Sequence, residues 1–197
     1  MARAGFWTPP LLDLFAPFRL TSLCLGPFRP WQDISALLET FTNPANFAAL
    51  ISLSIAGAFV SPAALLGVAT LPLEHLELIN TSLDLAGVGC LVPLAPTLAM
   101  LSLQGNAMID DSALPFLSCF PHLLFLDLLG TFVTVPGLIK FLQRAPELQS
   151  DLKNICPPLA VQKWLVSRPS LRAPLSSAEL TWKDACSRRR PRAPSSS

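Results

Sequence analysis

The sequence predicts an α/β chain, a right-handed solenoid of about five strand–turn–helix repeats with a parallel sheet on its concave face. Three observations predict it. A Leu-x-x-Leu-x-Leu pattern recurs at a near-constant stride, helix-type aliphatic positions recur behind it at the same stride, and proline recurs just ahead of it.

The pattern starts at Leu20, Leu50, Leu73, Leu98 and Leu123, so successive starts lie 30, 23, 25 and 25 residues apart. A leucine-rich composition scatters such matches but does not space them evenly. Alternation along a strand turns Leu76 and Leu78 inward and Glu77 outward, and the other repeats follow the same rule. After each strand an aliphatic residue begins the return: Leu83, Ile109, Val133. Five residues on come Val88, Leu114 and Leu138, and three further Leu91, Leu117 and Phe141, the offsets of a turn leading into a helix with one buried face. Pro72, Pro96, Pro121 and Pro146 mark where each helix stops, since proline cannot continue one. Asp33, Ser61, Asp84, Ser112 and Thr134 are the expected N-caps. Pro62 suits a first helical turn, where its missing N–H costs nothing. Gly87, Gly89 and Pro93 predict a short or partly 3₁₀ helix after Asp84.

Residues 18–147 therefore form the expected repeat domain. Within it, Gly26-Pro27-Phe28-Arg29-Pro30 reads as a loop insertion. Residues 1–17 supply Phe6, Trp7, Leu11, Leu12, Leu14 and Phe15 to cover the first repeat. Pro146 and Leu148 announce a sixth repeat, but Asp151 and Lys153 fall where core leucines belong, and burying both would cost several kcal/mol. The solenoid is thus expected to end there, with 148–166 as a C-terminal cap. Residues 167–197 are rich in Ser, Pro and Arg and read as a disordered basic tail. Its run Ser187-Arg188-Arg189-Arg190-Pro191-Arg192 has the composition of a nuclear-localisation signal or an RNA- or acid-binding tail, or of a solvated terminus without a role.

Composition narrows the function classes. Of 197 residues, 51% are hydrophobic and 14% charged, and the net charge is +1, so nothing global favours nucleic acid. Cysteines 24, 90, 119, 156 and 186 lack close pairing and read as reduced thiols, two or three of them small core residues. Pro9, Pro10 and Asp13 break what a signal peptide would need, so the sequon Asn80-Thr81-Ser82 is expected to stay unmodified and the chain to reside in the cytoplasm or nucleus. Two windows, 45–73 and 85–109, are long and free of charge, which leaves an integral membrane protein as one alternative. Their Asn and Pro content argues against it. A truncated repeat fragment without independent function is another.

No catalytic residue, cofactor or metal ligand is expected. His75 and His122 are the only histidines, and no Gly-x-Ser-x-Gly elbow, phosphate-binding Gly-Lys-Ser/Thr or paired metal spacing occurs. Gly87-x-Gly89 lacks the third glycine of a dinucleotide loop. Candidate binding residues are the outward strand positions of the C-terminal half: His75, Glu77, Ile79, Met100, Ser102, Gln104, Phe125, Asp127 and Leu129. Ile79, Met100, Phe125 and Leu129 are expected to be exposed apolar groups within a polar rim, as at a protein-binding patch. The bland reading is that they are partly covered or merely tolerated.

Leu98-Ala-Met-Leu101-Ser-Leu103-Gln-Gly-Asn106, with Ile109-Asp110-Asp111-Ser112-Ala113-Leu114 after it, is similar to a leucine-rich repeat of the ribonuclease-inhibitor-like type. Leu123 to Leu128, Gly130-Thr131 and Val133-Thr134-Val135-Pro136-Gly137-Leu138 form a second close likeness. The repeats resemble those of F-box substrate adaptors and of fungal proteins built like them. The resemblance implies a curved scaffold that holds a protein partner on its concave sheet. It implies ubiquitin-ligase components as partners only within a longer chain, because the seventeen residues before the first repeat are too few for an F-box bundle.

Overall fold

The computed structural model describes residues 19–28, 32–42, 47–144, 154–156 and 158. Its frame is one parallel sheet of six strands, β1 (Ser22–Leu25), β3 (Ser52–Ala56), β5 (His75–Ile79), β6 (Met100–Ser102), β7 (Phe125–Asp127) and β8 (Asn154–Cys156), which lie side by side in chain order. Two short strands, β2 (Gln32–Asp33) and β4 (Ala58–Phe59), pair in a second, parallel ladder. The predicted α/β class and parallel sheet are thus present.

A helical segment lies between each pair of successive strands of the six-stranded sheet. The segments are α1 (Ser35–Leu38), α2 (Pro62–Val68), α3 (Leu85–Cys90), α4 (Leu114–Leu117) and α5 (Val135–Arg144). Each packs against the next along the chain, so the helices form a layer of their own. Between the layers lies an aliphatic core. Leu53, Leu76, Leu101 and Leu126 stand opposite one another in the ladder and are fully buried. The predicted helix-side columns from Leu83, Val88 and Leu91 are buried in every repeat as well. Burying one leucine is worth roughly 1.5–3 kcal/mol, and no single repeat could bury its leucines without a neighbour.

The register coincides with the outward columns read from sequence. Ser22, Ser52, His75, Met100 and Phe125 stand in line, and so do Cys24, Ser54, Glu77, Ser102 and Asp127. Behind the strands runs a column with positive φ at the same stride: Gly57, Asn80, Gly105 and Gly130. An ideal Cβ on Gly105 would overlap the Asn80 side chain, so this turn needs glycine for room as well as for φ. One residue further sits the buried polar pair Thr81 and Asn106. The Asn106 side-chain oxygen accepts from Thr81 N at 3.0 Å, Thr81 Oγ1 at 3.1 Å and Leu83 N at 2.9 Å. Its Nδ2 donates to Leu78 O at 2.7 Å and Leu103 O at 2.9 Å. One amide thereby satisfies the backbone of two adjacent turns.

Several expectations need correction. The sheet does not end at 147: β8 pairs with β7, with Ile155 opposite Leu126 and Asn154 opposite Phe125. α5 is ten residues long, and it stretches the last strand-to-strand interval to 29 (125 to 154). Asp151 and Lys153 precede β8 in the sequence and lie outside the described residues. Residues 26–28 of the expected insertion carry no strand or helix, and β2 follows at Gln32–Asp33. Ser61, Asp84 and Thr134 accept from Ala64 N, Gly87 N and Gly137 N as predicted caps should. In the other two helical segments the cap falls elsewhere. Ile34 is the N-cap of α1, with Asp33 accepting from Ser35 N, and Asp110 caps the 3₁₀ turn Asp111–Ala113, accepting from Ser112 N. Cys24 and Cys119 are exposed, and Cys90 is half-buried and packs against the core. The helix after Asp84 is short and is followed by a 3₁₀ turn, Val92–Leu94, as its glycines and proline predict.

The uncharged windows 45–73 and 85–109 fold into short strands and helices, and no helix among the described residues is long and apolar enough to cross a membrane. The expected covering segment 1–17 and tail 167–197 lie outside the described residues, as does most of the expected cap 148–166.

Candidate functional site

The sheet has one face against the helix layer and one turned away from it. Strand alternation places all nine predicted residues on or just beyond the strands of the second face. β5 carries His75, Glu77 and Ile79, all half-buried. β6 carries Met100, half-buried, and Ser102, with Gln104 half-buried two residues beyond Ser102. β7 carries Phe125, half-buried, and Asp127, and Leu129 beyond it is half-buried.

Two features differ from expectation. The four apolar groups are half-buried instead of exposed. Ser102 and Asp127 are buried, at 2% and 7% exposure. Ser102 is a short side chain flanked in the ladder by Glu77 and Asp127.

The middle column is polar and internally bonded. Ser54 Oγ donates to Glu77 Oε2 at 2.9 Å, and Ser102 Oγ donates to Asp127 Oδ2 at 3.4 Å. Asp127 Oδ1 also accepts from Leu129 N at 2.9 Å. Each carboxylate thus leans on a serine one strand earlier, and an asparagine or glutamine in its place would keep the shape but lose the charge. On either side of this column run apolar groups, Met100 and Phe125 on one flank and Ile79 and Leu129 on the other. The arrangement is a bonded polar column between two half-buried apolar flanks.

Sequence reasoning missed features away from this face. Asp111 accepts from Thr134 N at 2.7 Å and Thr134 Oγ1 at 2.6 Å, tying one repeat to the cap of the next. Ser35 does the same for Ser61 N at 3.1 Å. Both acceptors occupy the first residue of a helical segment, while Pro62 and Leu85 hold that place between them and have no acceptor to offer. The missed signal is a polar residue directly after the cap. A groove of about 350 Å³ opens beside Asp111, between α4 and α5, lined by Pro115, Pro136, Lys140 and Phe141 among others. Among the described residues no three histidine, cysteine or acidic side chains gather as a metal site would require.

No known family pattern matches the chain, and no curated protein matches its sequence. What the structure itself defines is an α/β protein with a chain-ordered parallel sheet of six strands and a separate helix layer.

Proposed function

We propose that the chain is a leucine-rich-repeat solenoid of the ribonuclease-inhibitor-like type and serves as a non-catalytic scaffold that takes a protein partner on its open sheet face. The chain-ordered strands and the repeat leucines in equivalent register support the solenoid. The observation that carries the function is the pair of apolar flanks around a bonded polar column, on the face opposite the helix layer. Such a surface suits a macromolecular partner better than a small substrate, because it is broad and its polar groups are already engaged. Reduced cysteines favour the cytoplasm or nucleus as its place of work. An adaptor role with ubiquitin-ligase components belongs to this reading only where the repeats form part of a longer chain.

Affinity capture from native cells, followed by mass spectrometry, tests it. Phe125→Asp with Leu129→Asp abolishes recovery of the partner while the circular-dichroism spectrum stays unchanged. A partner recovered equally by both proteins would place binding elsewhere.

A further inference from the structure

We infer that a second docking surface lies on the edge of the stack where strands turn into helices, and that it takes a basic protein segment with an apolar anchor residue. This surface is separate from the sheet face and does not depend on it. Its centre is Met108 and Phe132, 68% and 69% exposed, the most exposed large apolar side chains among the described residues. A lone exposed apolar residue needs no explanation. These two come from adjacent turns that lie against each other. Gly105 N donates to Leu129 O at 2.7 Å, and Phe132 N donates to Ile109 O at 2.8 Å. Met108 and Phe132 thus share one edge, one repeat apart, with exposed Ala107 beside Met108.

Charge names the occupant. Positions 80–84, 104–111 and 129–134, which build this edge, carry Asp84, Asp110 and Asp111 and no lysine or arginine. The three carboxylates are not equally available. Asp111 uses both oxygens on Thr134, and Asp84 is half-buried at its cap. Asp110 is exposed: its Oδ1 takes both bonds from Ser112, and no described residue bonds its Oδ2. Asp110 follows Met108 by two residues, so it lies within about 7 Å of it along the chain. An apolar side chain seated on Met108 and Phe132 therefore brings a neighbouring arginine within reach of Asp110 Oδ2, for a charge-assisted bond. Arginine suits this better than lysine, because its planar group also stacks on an exposed ring such as Phe132. A second copy docked here about a two-fold axis would bring the same acids together. An anionic lipid surface would be repelled.

The test titrates fluorescein-labelled glycine–serine peptides against the full chain by anisotropy. The first probe carries one tryptophan flanked by two arginines. The second has glutamates for the arginines, and the third has serine for the tryptophan. The first binds on the order of tenfold tighter than either of the others, and added salt weakens it. Met108→Ser with Phe132→Ser, both at exposed positions, removes that advantage while the circular-dichroism spectrum stays unchanged. Asp110→Asn, which keeps an acceptor for Ser112, lowers the preference for the first probe over the second. Equal binding of the three probes, or an advantage unchanged in these variants, overturns the inference. So does an advantage lost only in Phe125→Asp with Leu129→Asp, which would place the peptide on the sheet face. Each titration is repeated on the chain with Arg188, Arg189, Arg190 and Arg192 replaced by serine. An advantage seen there alone supports the same surface, with the chain's own basic run competing for it, and none in either chain overturns it. A dimer by light scattering, or co-sedimentation with phosphatidylcholine vesicles, that Phe132→Ser abolishes would instead assign the edge to a second copy or to lipid.

Discussion

Replacing Asn106 with alanine would leave the N–H groups of Thr81 and Leu83 without their side-chain acceptor, away from water. Each unsatisfied buried donor costs about 1–3 kcal/mol, so Asn106→Ala is expected to lose roughly 2–6 kcal/mol, read as a fall in the urea midpoint at constant slope. Thr131 occupies the next turn, and its hydroxyl makes one local bond, to Leu128 O at 2.7 Å. Thr131→Ala should therefore lose only about 1 kcal/mol. Backbone shape gives a second contrast. Gly57 and Gly105 share nearly the same φ, +77° and +76°, but an added Cβ meets only ordinary contact with the Phe28 backbone at Gly57, and overlaps the Asn80 side chain at Gly105. Gly57→Ala carries only the left-handed penalty of about 1 kcal/mol, and Gly105→Ala is expected to cost measurably more. Acid tests two further residues. Hydrogen bonds from the Ser112 side chain and backbone hold the Asp110 carboxyl below its ordinary 3.8, and those from Ser35 do the same for Asp33. A carboxyl lowered on folding contributes stability that is present above the unfolded value and lost as pH falls through the folded one. Stability should thus decline as pH drops below 3.8, and Asp33→Asn with Asp110→Asn should flatten that part of the curve.

Among the elements, the helix starts couple neighbouring repeats. A Cβ on Gly137 would run into the Asp111 carboxylate, the group that holds Thr134. Asp111→Ala and Gly137→Ala each remove that tie and should each cost about 1 kcal/mol. The double variant should cost little more than either single one, which a thermodynamic cycle reads directly. The strands were legible in sequence because each leucine column had to agree with its neighbours, and a slip of one residue would have turned every core side chain outward. The helix starts were less legible. Asp110-Asp111-Ser112 offers three adjacent capping types, and local spacing does not choose among them. β8 was missed for a related reason: a constant stride was carried past Leu123, while α5 ran longer than its predecessors. The nine face residues were found because alternation alone places them. Their depth was not, because alternation gives a side chain's face and not its burial, as at Ser102 and Asp127.

For the whole molecule, the chain order of the described strands sets how damage spreads. In a chain-ordered stack each unit leans on the one before and the one after. Leu101→Ala opens a cavity between two occupied neighbours and is expected to cost roughly 2–5 kcal/mol. Leu23, in the first described strand and slightly exposed, should cost less when truncated, and chemical denaturation of the two variants compares them. The Asn106 amide adds an asymmetry to this stack. It clamps the β6 turn to the β5 turn, a seam that no second amide reproduces among the described residues. Stretched between its ends, such a molecule would not unzip in equal steps. Outer layers would peel first, and the portion spanning positions 75–109 would come away as one block in a final, larger rip.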